Sequence, residues 1–325
     1  MLSNASLDVA FHDKFINKDF IFDIYLNLFR GLGIFDDTFF IFKGLGFSVA
    51  VPLVVDTGKW TIEENSKEDK NYIEQFFVGL LEGDGTITTN LSNNKKRINV
   101  RFAIALKNEE NNQIMLNKIQ KVIGGRVIIE RKDKYVTWIA NSKADINKIL
   151  LILSRYPLLT IRKKCQLEFV KNCLLYKDIN NFMSNRNKMY NNKIELLQAK
   201  LKIQTKYIEL PDYFKAWLSG FIEAEGCFSL VFNKEGKLRK SEFAIGQIEE
   251  LHIMNMIKFY FQSKNKINTE KIRISFKGNP TEAIHYRFYL YNALSRKLLF
   301  EHFTKYPLIG KKKLSYIKFF EYHNK

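Results

Sequence analysis

The feature that most constrains this chain is a nine-residue pattern that occurs twice. Residues 77–85 have the sequence FVGLLEGDG, and residues 218–226 have the sequence LSGFIEAEG. Each copy is an apolar run that ends in acid, small residue, acid and glycine. A single copy is typical of an ordinary apolar helix with a glycine C-cap. Two copies predict a chain built from two related repeats.

The small residues within each copy indicate how the repeats meet. They lie four positions apart, at Gly79 and Gly83 and at Gly220 and Ala224, so each pair occupies one face of a helix. Small residues on one face let two helix backbones approach closely. The same spacing occurs in membrane helices, but the acidic residues at the end of each copy exclude a buried span. We expect the two motif helices to pack together and to bring their C-terminal ends side by side.

The segments after each copy follow one order of predicted elements, which we derive from hydrophobic periodicity and turn residues. The order α-β-β-α-β-β-α, with one further helix, predicts an α+β fold of two pseudo-symmetric repeats. Each repeat is predicted to contain a four-stranded antiparallel sheet with helices on one face, which leaves the other face free. The predicted domains are an N-terminal extension over 1–70, a first repeat over 71–176, a linker over 177–210 and a second repeat over 211–325.

Two landmarks set the register between the repeats. Phe102 corresponds to Phe243, which is displaced by 243 − 102 = 141 residues, and Tyr156 corresponds to Tyr306, which is displaced by 306 − 156 = 150 residues. The second repeat is therefore longer by 150 − 141 = 9 residues. The extra length is predicted to lie between Gly246 and Tyr306.

The extension over residues 1–70 has no counterpart later in the chain. Its apolar stretch from Phe39 to Val55 is short for a membrane span and is interrupted by Gly44, Gly46 and Pro52. A membrane-associated remnant, a poorly ordered leader and a segment packed on the body are the alternatives. We favour a dispensable leader.

Charge and composition narrow the partners. The 325 residues include 52 Lys and Arg against 34 Asp and Glu, which gives a net charge of +18 and indicates a polyanionic partner, nucleic acid first. Solubilising lysines are the alternative explanation. The three cysteines and five histidines form no zinc or disulfide pattern. A metal would therefore need oxygen ligands, which favours Mg²⁺, Ca²⁺ or Mn²⁺.

Asp84 and Glu225 form an arrangement that needs an explanation. Both carboxylates are predicted at converging helix C-termini, where the helix dipole is already negative and like charges repel. A divalent cation removes this conflict, because carboxylates and the free carbonyls of Gly83 and Ala224 are hard oxygen ligands. A metal between two carboxylates beside a basic sheet indicates phosphodiester hydrolysis. For Glu82 and Glu223, the other acidic residues of the motif, a structural role in capping or salt-bridging is as well supported as a functional one.

Both nonapeptides resemble the signature of the LAGLIDADG homing endonucleases, and the repeated element order resembles the fold of that family. The resemblance covers about residues 70–322 in the single-chain, two-motif form. It implies that Asp84 and Glu225 bind the catalytic metal, with the carbonyls of Gly83 and Ala224 as further ligands. It also implies Mg²⁺ as cofactor, with Mn²⁺ as a substitute and Ca²⁺ as an ion that binds without supporting cleavage.

The resemblance assigns further catalytic positions less evenly. A Gln that orders water in the family falls on Gln247, whereas the partner position in the first repeat is Leu106 and departs from the pattern. A basic residue near the scissile phosphate falls on Lys312 and on Arg162, with Lys163 and Lys311 as alternatives in the register. Ordinary phosphate contact is the other explanation for these basic residues. The asymmetry predicts either that the two strand cuts are chemically unequal or that one side relies on ordered water.

The free sheet faces are predicted to form a DNA-binding saddle. A two-stranded ribbon fits the major groove, and Arg, Lys, Asn and His side chains carry groups that recognise base edges or phosphates. For each single residue, a solvated strand face is the alternative. The predicted DNA-binding residues are Thr88, Asn90, Arg97, Asn99, Arg101, Ser229, Asn233, Arg239, Lys240, Arg273, Lys277, His285 and Arg287.

Three functions follow as hypotheses. The first is a site-specific, double-strand DNA endonuclease that acts as a monomer on a long asymmetric target without an obligate protein partner. The alternative is an intron RNA maturase with reduced or no nuclease activity, and a third hypothesis is an inactivated DNA-binding protein, which Leu106 supports. Both acidic ligands are present, which favours cleavage. The abundance of Lys, Asn, Ile and Phe, whose codons are AT-rich, indicates an organellar gene. Together with the family resemblance, it implies a mitochondrion, with a plastid as second choice.

Overall fold

The computed structural model describes residues 67–94, 97–276 and 279–324, and all of them belong to one compact unit. The predicted N-terminal extension lies outside the described residues except for residues 67–70, and so does Lys277.

The first repeat contains four helices and four strands within the described residues. Its motif helix ends at the second motif glycine, one residue before Asp84, and the next strand begins directly after that aspartate. The elements are α1 (Lys67–Gly83), β1 (Gly85–Leu91), β2 (Ile98–Lys107), α2 (Glu110–Ile123), β3 (Arg126–Glu130), β4 (Tyr135–Ala140), α3 (Lys143–Arg155) and α4 (Ile161–Tyr176).

The linker contains two helices that the sequence analysis did not predict, because its Asn-rich and Lys-rich composition hides their weak apolar pattern. They are α5 (Ile179–Asn185) and α6 (Lys193–Gln204). Helix α6 has no fully buried residue. It packs lightly on α4 and on the second-repeat helix that spans Leu251–Tyr260. It therefore connects the two repeats without joining their core.

The second repeat has the same order of elements. Its motif helix starts just after Pro211, an acceptable residue before a first turn, and ends at Glu225. The elements are α7 (Phe214–Glu225), β5 (Cys227–Phe232), β6 (Leu238–Ile248), α8 (Leu251–Tyr260), β7 (Asn268–Phe276), β8 (Asn279–Leu290), α9 (Ala293–Lys305) and α10 (Lys312–His323).

Two four-stranded antiparallel sheets confirm the predicted α+β fold. Their strand orders are β1-β2-β4-β3 and β5-β6-β8-β7, so the two sheets have identical topology. Alternation along β2 sends apolar side chains toward the helices, as Val100, Phe102 and Ile104 show. No helix among the described residues is long and apolar enough to cross a membrane.

The two motif helices, α1 and α7, form the interface between the repeats. They contact each other more extensively than any other pair of described elements. A Cβ atom at Gly79 would overlap the carbonyl oxygen of Trp217, and one at Gly220 would overlap the carbonyl oxygen of Phe76. The glycines are therefore required for backbone contact, as the spacing predicted. Burial of Phe76, Phe77 and the neighbouring apolar side chains completes the shared core.

The extra residues of the second repeat lie in its outer hairpin, within the predicted interval. Ile128 pairs with Thr137 in the first repeat, and Asn268 pairs with Arg287 at the matching position of the second. These pairs are separated by 137 − 128 = 9 and 287 − 268 = 19 residues. The β7–β8 hairpin is thus longer by ten residues, or five on each strand, which is about 17 Å at roughly 3.4 Å per residue.

Candidate active site

The ends of α1 and α7 bring Asp84 and Glu225 together. Gly83 lies against Ala224, since a Cβ at Gly83 would overlap the Ala224 side chain and would also lie within 3.2 Å of Glu225 Cγ. Asp84 is partly exposed at the edge of the cleft and Glu225 is half-buried. The close contact of the small residues therefore places two carboxylates beside each other at one end of the helix pair.

Both carboxylates are held in an unfavourable electrostatic environment. Desolvation by the surrounding protein raises the pKa of Asp84, and Lys312 and Lys163 oppose this effect. Desolvation also raises the pKa of Glu225, and the charge of Asp84 raises it further. Desolvation of both carboxylates and the charge of Asp84 beside Glu225 disfavour the ionised forms, so a bound cation would stabilise them.

Two lysines flank the carboxylates. The Lys312 ammonium donates a hydrogen bond to the carbonyl oxygen of Ala224, and the Lys163 ammonium donates one to the carbonyl oxygen of Gly85. Lys163 is only 6% exposed, and burial lowers its pKa to about 8. Burial also lowers the pKa of Lys312. Each repeat thus supplies one lysine to the same cleft.

In the first repeat the lysine beside the carboxylates is Lys163, the alternative in the predicted register, and not Arg162. Arg162 is exposed and lines the same groove as Lys163, Glu225 and Gln247. The two lysines are separated by 312 − 163 = 149 residues, one fewer than the Tyr-Pro landmark displacement. The cause is local: α4 starts directly after Thr160, whereas Lys311 forms a turn before α10. Lys311 itself bonds to Glu109 at 2.7 Å.

The second repeat provides an amide next to its carboxylate. Gln247 Nε2 donates to Glu225 Oε1 at 3.0 Å. The equivalent Leu106 is a half-buried apolar residue packed against the core. Among the described residues we find no hydrogen bond to the Asp84 carboxylate. The two halves of the site therefore differ in how the carboxylate is oriented.

Glu82 and Glu223, the other acidic residues of the motif, cap helices. Glu82 accepts hydrogen bonds from the amides of Leu159 and Thr160 and from Trp217 Nε1. Glu223 accepts from the amides of Gly310, at 3.2 Å, and Lys312, at 2.8 Å. Each buried glutamate thus fixes the start of the helix that carries the cleft lysine of its own repeat.

The donor set fits a divalent cation bound by oxygen. The described residues contain no group of three or more His, Cys, Asp and Glu side chains close enough to hold a metal, and the three cysteines are free. Asp84, Glu225 and helix-terminal carbonyls remain, and these hard oxygen donors suit Mg²⁺ or Ca²⁺. The close contact of Gly83 with Ala224, which brings Asp84 and Glu225 together, is the observation that supports this fit.

The strand register shows which predicted DNA-binding residues share the free face. Thr88 pairs with Arg101 and Asn90 with Asn99, and directly paired residues lie on one face of a sheet. Exposed Arg97 lies just before β2. In the second sheet, Ser229 pairs with Glu242 and Val231 pairs with Lys240, which forms an ion pair with Glu242 at 2.6 Å.

Three other predicted residues, Arg239, Asn233 and Arg273, lie away from the paired positions of the free face. Arg239 lies at the irregularity where the pairing shifts between Val231 and Phe232, and exposed Asn233 follows in the turn. His285 and Arg287 share the free face, but Arg273 pairs with Glu282 and therefore lies on the opposite face. The grouping of Arg273 with His285 and Arg287 was wrong, because the sequence does not reveal which residues of β7 and β8 pair.

The family model for LAGLIDADG endonucleases matches residues 77–173 and 218–323. A probable intron-encoded endonuclease aI3 from Debaryomyces hansenii is 34% identical over 98% of this chain and 47% of its own length. A protein of the same description from Dictyostelium citrinum is 34% identical over 79% of this chain and 97% of its own length. The chain thus spans about half of the first relative and nearly all of the second.

Solved structures give the same fold. The LAGLIDADG meganuclease I-CpaMI, bound to uncleaved DNA, superposes with a TM-score of 0.54 at 20% identity, covering 76% of this chain and 90% of that chain. The doubled motif, the paired sheets and the family match lead to one conclusion. The chain belongs to the LAGLIDADG endonuclease family.

Proposed function

We propose that this protein is a site-specific DNA endonuclease that cleaves both strands of a long, asymmetric duplex by divalent-metal-dependent phosphodiester hydrolysis. The observation that carries the proposal is the contact between Gly83 and Ala224, which places Asp84 and Glu225 side by side between two lysines. The family membership and the net charge of +18 support DNA as the partner.

Asp84 and Glu225, with the carbonyls of Gly83 and Ala224, would hold the cation. Mg²⁺ is the proposed physiological ion, Mn²⁺ a substitute, and Ca²⁺ an ion that binds without supporting cleavage. When bound, the cation supplies an activated water nucleophile and stabilises charge on the phosphate oxygens. Gln247 orients the Glu225 carboxylate through its amide.

Lys163 and Lys312 would stabilise the negative charge that develops on the scissile phosphates. Preorganised cations in a partly desolvated cleft act strongly on such charge. Lys312 is hydrogen-bonded to Ala224 and Lys163 to Gly85, so each ammonium is already placed within the cleft. One lysine per repeat matches one phosphodiester bond per strand.

The free sheet faces would bind the duplex on both sides of the active centre. Thr88, Asn90, Asn99 and Arg101 serve the first half-site, and Arg287 with the long β7–β8 hairpin serves the second. The additional 17 Å of hairpin corresponds to about five base pairs at roughly 3.4 Å per pair. The target would therefore extend further on the side of the second repeat.

Both halves of the proposed site come from one chain, so we propose a monomeric enzyme. The curated relatives are described as intron-encoded, and the sequence is rich in residues with AT-rich codons. We propose expression from an intron of a mitochondrial gene.

The proposal is tested with the uninterrupted host-gene junction as substrate, in Mg²⁺, comparing the wild-type chain with Asp84→Asn and Glu225→Gln. We expect the wild type to cut both strands and each variant to lose at least a thousandfold in rate. Glu195→Gln, which removes an exposed carboxylate on α6, is the matched control and should cleave normally.

Calcium binding provides a second measurement that does not depend on turnover. Titration calorimetry should show Ca²⁺ binding to the wild-type chain on DNA and weaker binding to Asp84→Asn. Absence of any metal-dependent cut, together with tight binding of intron RNA, would contradict the nuclease and favour the maturase.

A further inference from the structure

The first turn of α4 is held by side chains from both repeats. A helix leaves its first four amides without partners inside the helix, and Thr160 makes no side-chain cap for α4. Glu82 accepts from the amides of Leu159 and Thr160. Glu250, from the second repeat, accepts from the amides of Ile161, at 3.0 Å, and Arg162, at 2.9 Å. Two buried carboxylates therefore serve four consecutive amides.

Glu250 is unusual because it does not serve its own helix. It occupies the N-cap of α8, a position whose side chain ordinarily accepts from the next turn of the same helix. Its carboxylate makes no such bond and instead reaches α4 of the other repeat. It is 2% exposed, so the contact is shielded from water. His252, on the same helix, adds a contact between its Nε2 and the carbonyl oxygen of Leu159 at 3.0 Å.

The reciprocal contact, from the first repeat to the second, has different chemistry. The amide of Lys311 donates to Asn112 Oδ1 at 3.3 Å, and the Lys311 ammonium bonds to Glu109 at 2.7 Å. Glu109 is the sequence counterpart of Glu250, since 250 − 109 = 141, yet it accepts only from lysine side chains at the surface. A neutral amide thus replaces the buried carboxylate in this direction.

We propose that Glu250 is a positioning residue for Lys163, so that the second repeat sets the geometry of the lysine contributed by the first. The inference rests on the proposed nuclease function. Lys163 lies on the turn whose amides Glu250 binds. A rotation of α4 by roughly 10° would move an atom at its outer radius, about 5–6 Å from the axis, by about 1 Å. A displacement of this size costs up to about a hundredfold in rate.

The test measures the cleavage of each strand separately, with a duplex labelled on one strand at a time. Lys163→Met and Lys312→Met first define which strand depends on which lysine. Glu250→Gln keeps the shape of the side chain but removes its charge and one acceptor. We expect it to slow the Lys163-dependent strand by about tenfold to a hundredfold and to leave the other strand within about twofold.

Asn112→Ala is the matched variant in the opposite direction. It removes the amide that binds the start of α10, so we expect it to slow the Lys312-dependent strand, and by less than Glu250→Gln slows its own. Dissociation constants for DNA in Ca²⁺ and thermal unfolding midpoints accompany each variant. A fall in both strand rates that follows a lowered unfolding midpoint would show a merely structural role and overturn the proposal.

The double variant Glu250→Gln with Lys163→Met provides the decisive comparison. If Glu250 acts through Lys163, removing both costs no more than Lys163→Met alone on that strand. Effects that multiply would overturn the proposal even in a fully folded protein. A wild-type chain that cuts neither strand would instead reject the proposed nuclease, so the two failures are distinguishable.

Discussion

The two repeats build their halves of the cleft with different partners around a common backbone. In the second repeat, Gln247 donates to Glu225 and Lys312 bonds to the Ala224 carbonyl. In the first, Leu106 stands where the amide would be, and deeply buried Lys163 bonds to the Gly85 carbonyl. The shared helix contact is what both repeats require, whereas the surrounding polar groups have diverged. A pseudo-symmetric fold can therefore contain a chemically asymmetric site.

The free sheet faces of the two repeats also differ in their polar groups. At matching positions of the outer strands, the first repeat has Ile128 and Thr137, and the second has Asn268 and Arg287. The second sheet therefore offers more hydrogen-bonding groups, on a hairpin that is ten residues longer. We expect base recognition to depend more on the second repeat.

The largest effect is expected where the repeats are alike. Gly79→Ala and Gly220→Ala should each lower the free energy of unfolding by about 3 kcal/mol, because the new Cβ overlaps a backbone carbonyl of the opposite helix. Urea denaturation measures this. Gly236→Ala, in an open turn with φ +76°, is the control and should cost about 1 kcal/mol. Equal losses at all three sites would refute close helix packing.

The second largest effect concerns the loss of stability in acid, to which the two repeats should contribute differently. His302 is buried in the second repeat, where desolvation lowers its pKa to about 3, and the matching residue of the first repeat is Ile152. The pKa of His302 is lower in the folded protein than its unfolded value of about 6.5. The stability that neutral His302 contributes is therefore complete above pH 6.5 and is lost as the pH falls.

The measurement is the free energy of unfolding from pH 7.5 to 4.5 for the wild-type chain and for His302→Gln. Below pH 6.5 the wild type should lose stability relative to the variant by up to about 1.4 kcal/mol per pH unit. His323→Gln removes a more exposed histidine and should change the slope less. Parallel curves for His302→Gln and the wild type would show that His302 is protonated in the folded protein.

Gln247→Leu should make the two halves of the cleft more equal. Loss of a hydrogen bond to a charged group is worth about 1.5 kcal/mol, or roughly tenfold in rate. We expect that loss only on the strand that Lys312→Met also slows, as measured with strand-labelled DNA. Leu106→Gln is the reciprocal variant and should leave that strand unchanged. An equal slowing of both strands by Gln247→Leu would contradict separate roles for the two halves.

The smallest expected effect concerns the outer hairpin. Arg287→Thr introduces the residue of the first repeat and should weaken target binding about fivefold, near the lower end of roughly 1–3 kcal/mol for a base contact. Arg273→Thr, on the opposite face of the same hairpin, is the control and should change binding little. Equal losses in titrations with labelled target would mean that both faces contact DNA.

Much of the architecture follows from local sequence patterns. The doubled motif, its small-residue spacing and the alternating strands predicted two α+β repeats joined through α1 and α7, with Asp84 and Glu225 together. The displacement of the landmarks also located the longer segment. These features depend on periodicity and on steric requirements for glycine, which are local properties and are therefore visible in a single sequence.

The remaining features required the folded chain. Buried Lys163 bonds to the Gly85 carbonyl beside the carboxylates, and exposed Arg162 lines the same groove, because α4 and α10 begin differently. Arg273 leaves the free face because pairing in the long hairpin sets its orientation. Glu250 had no sequence signal, since its partners lie 88 and 89 residues away. Helix starts, strand register and contacts between repeats are set by long-range packing, so the two motifs predict where the site lies, and tertiary structure decides which side chains complete it.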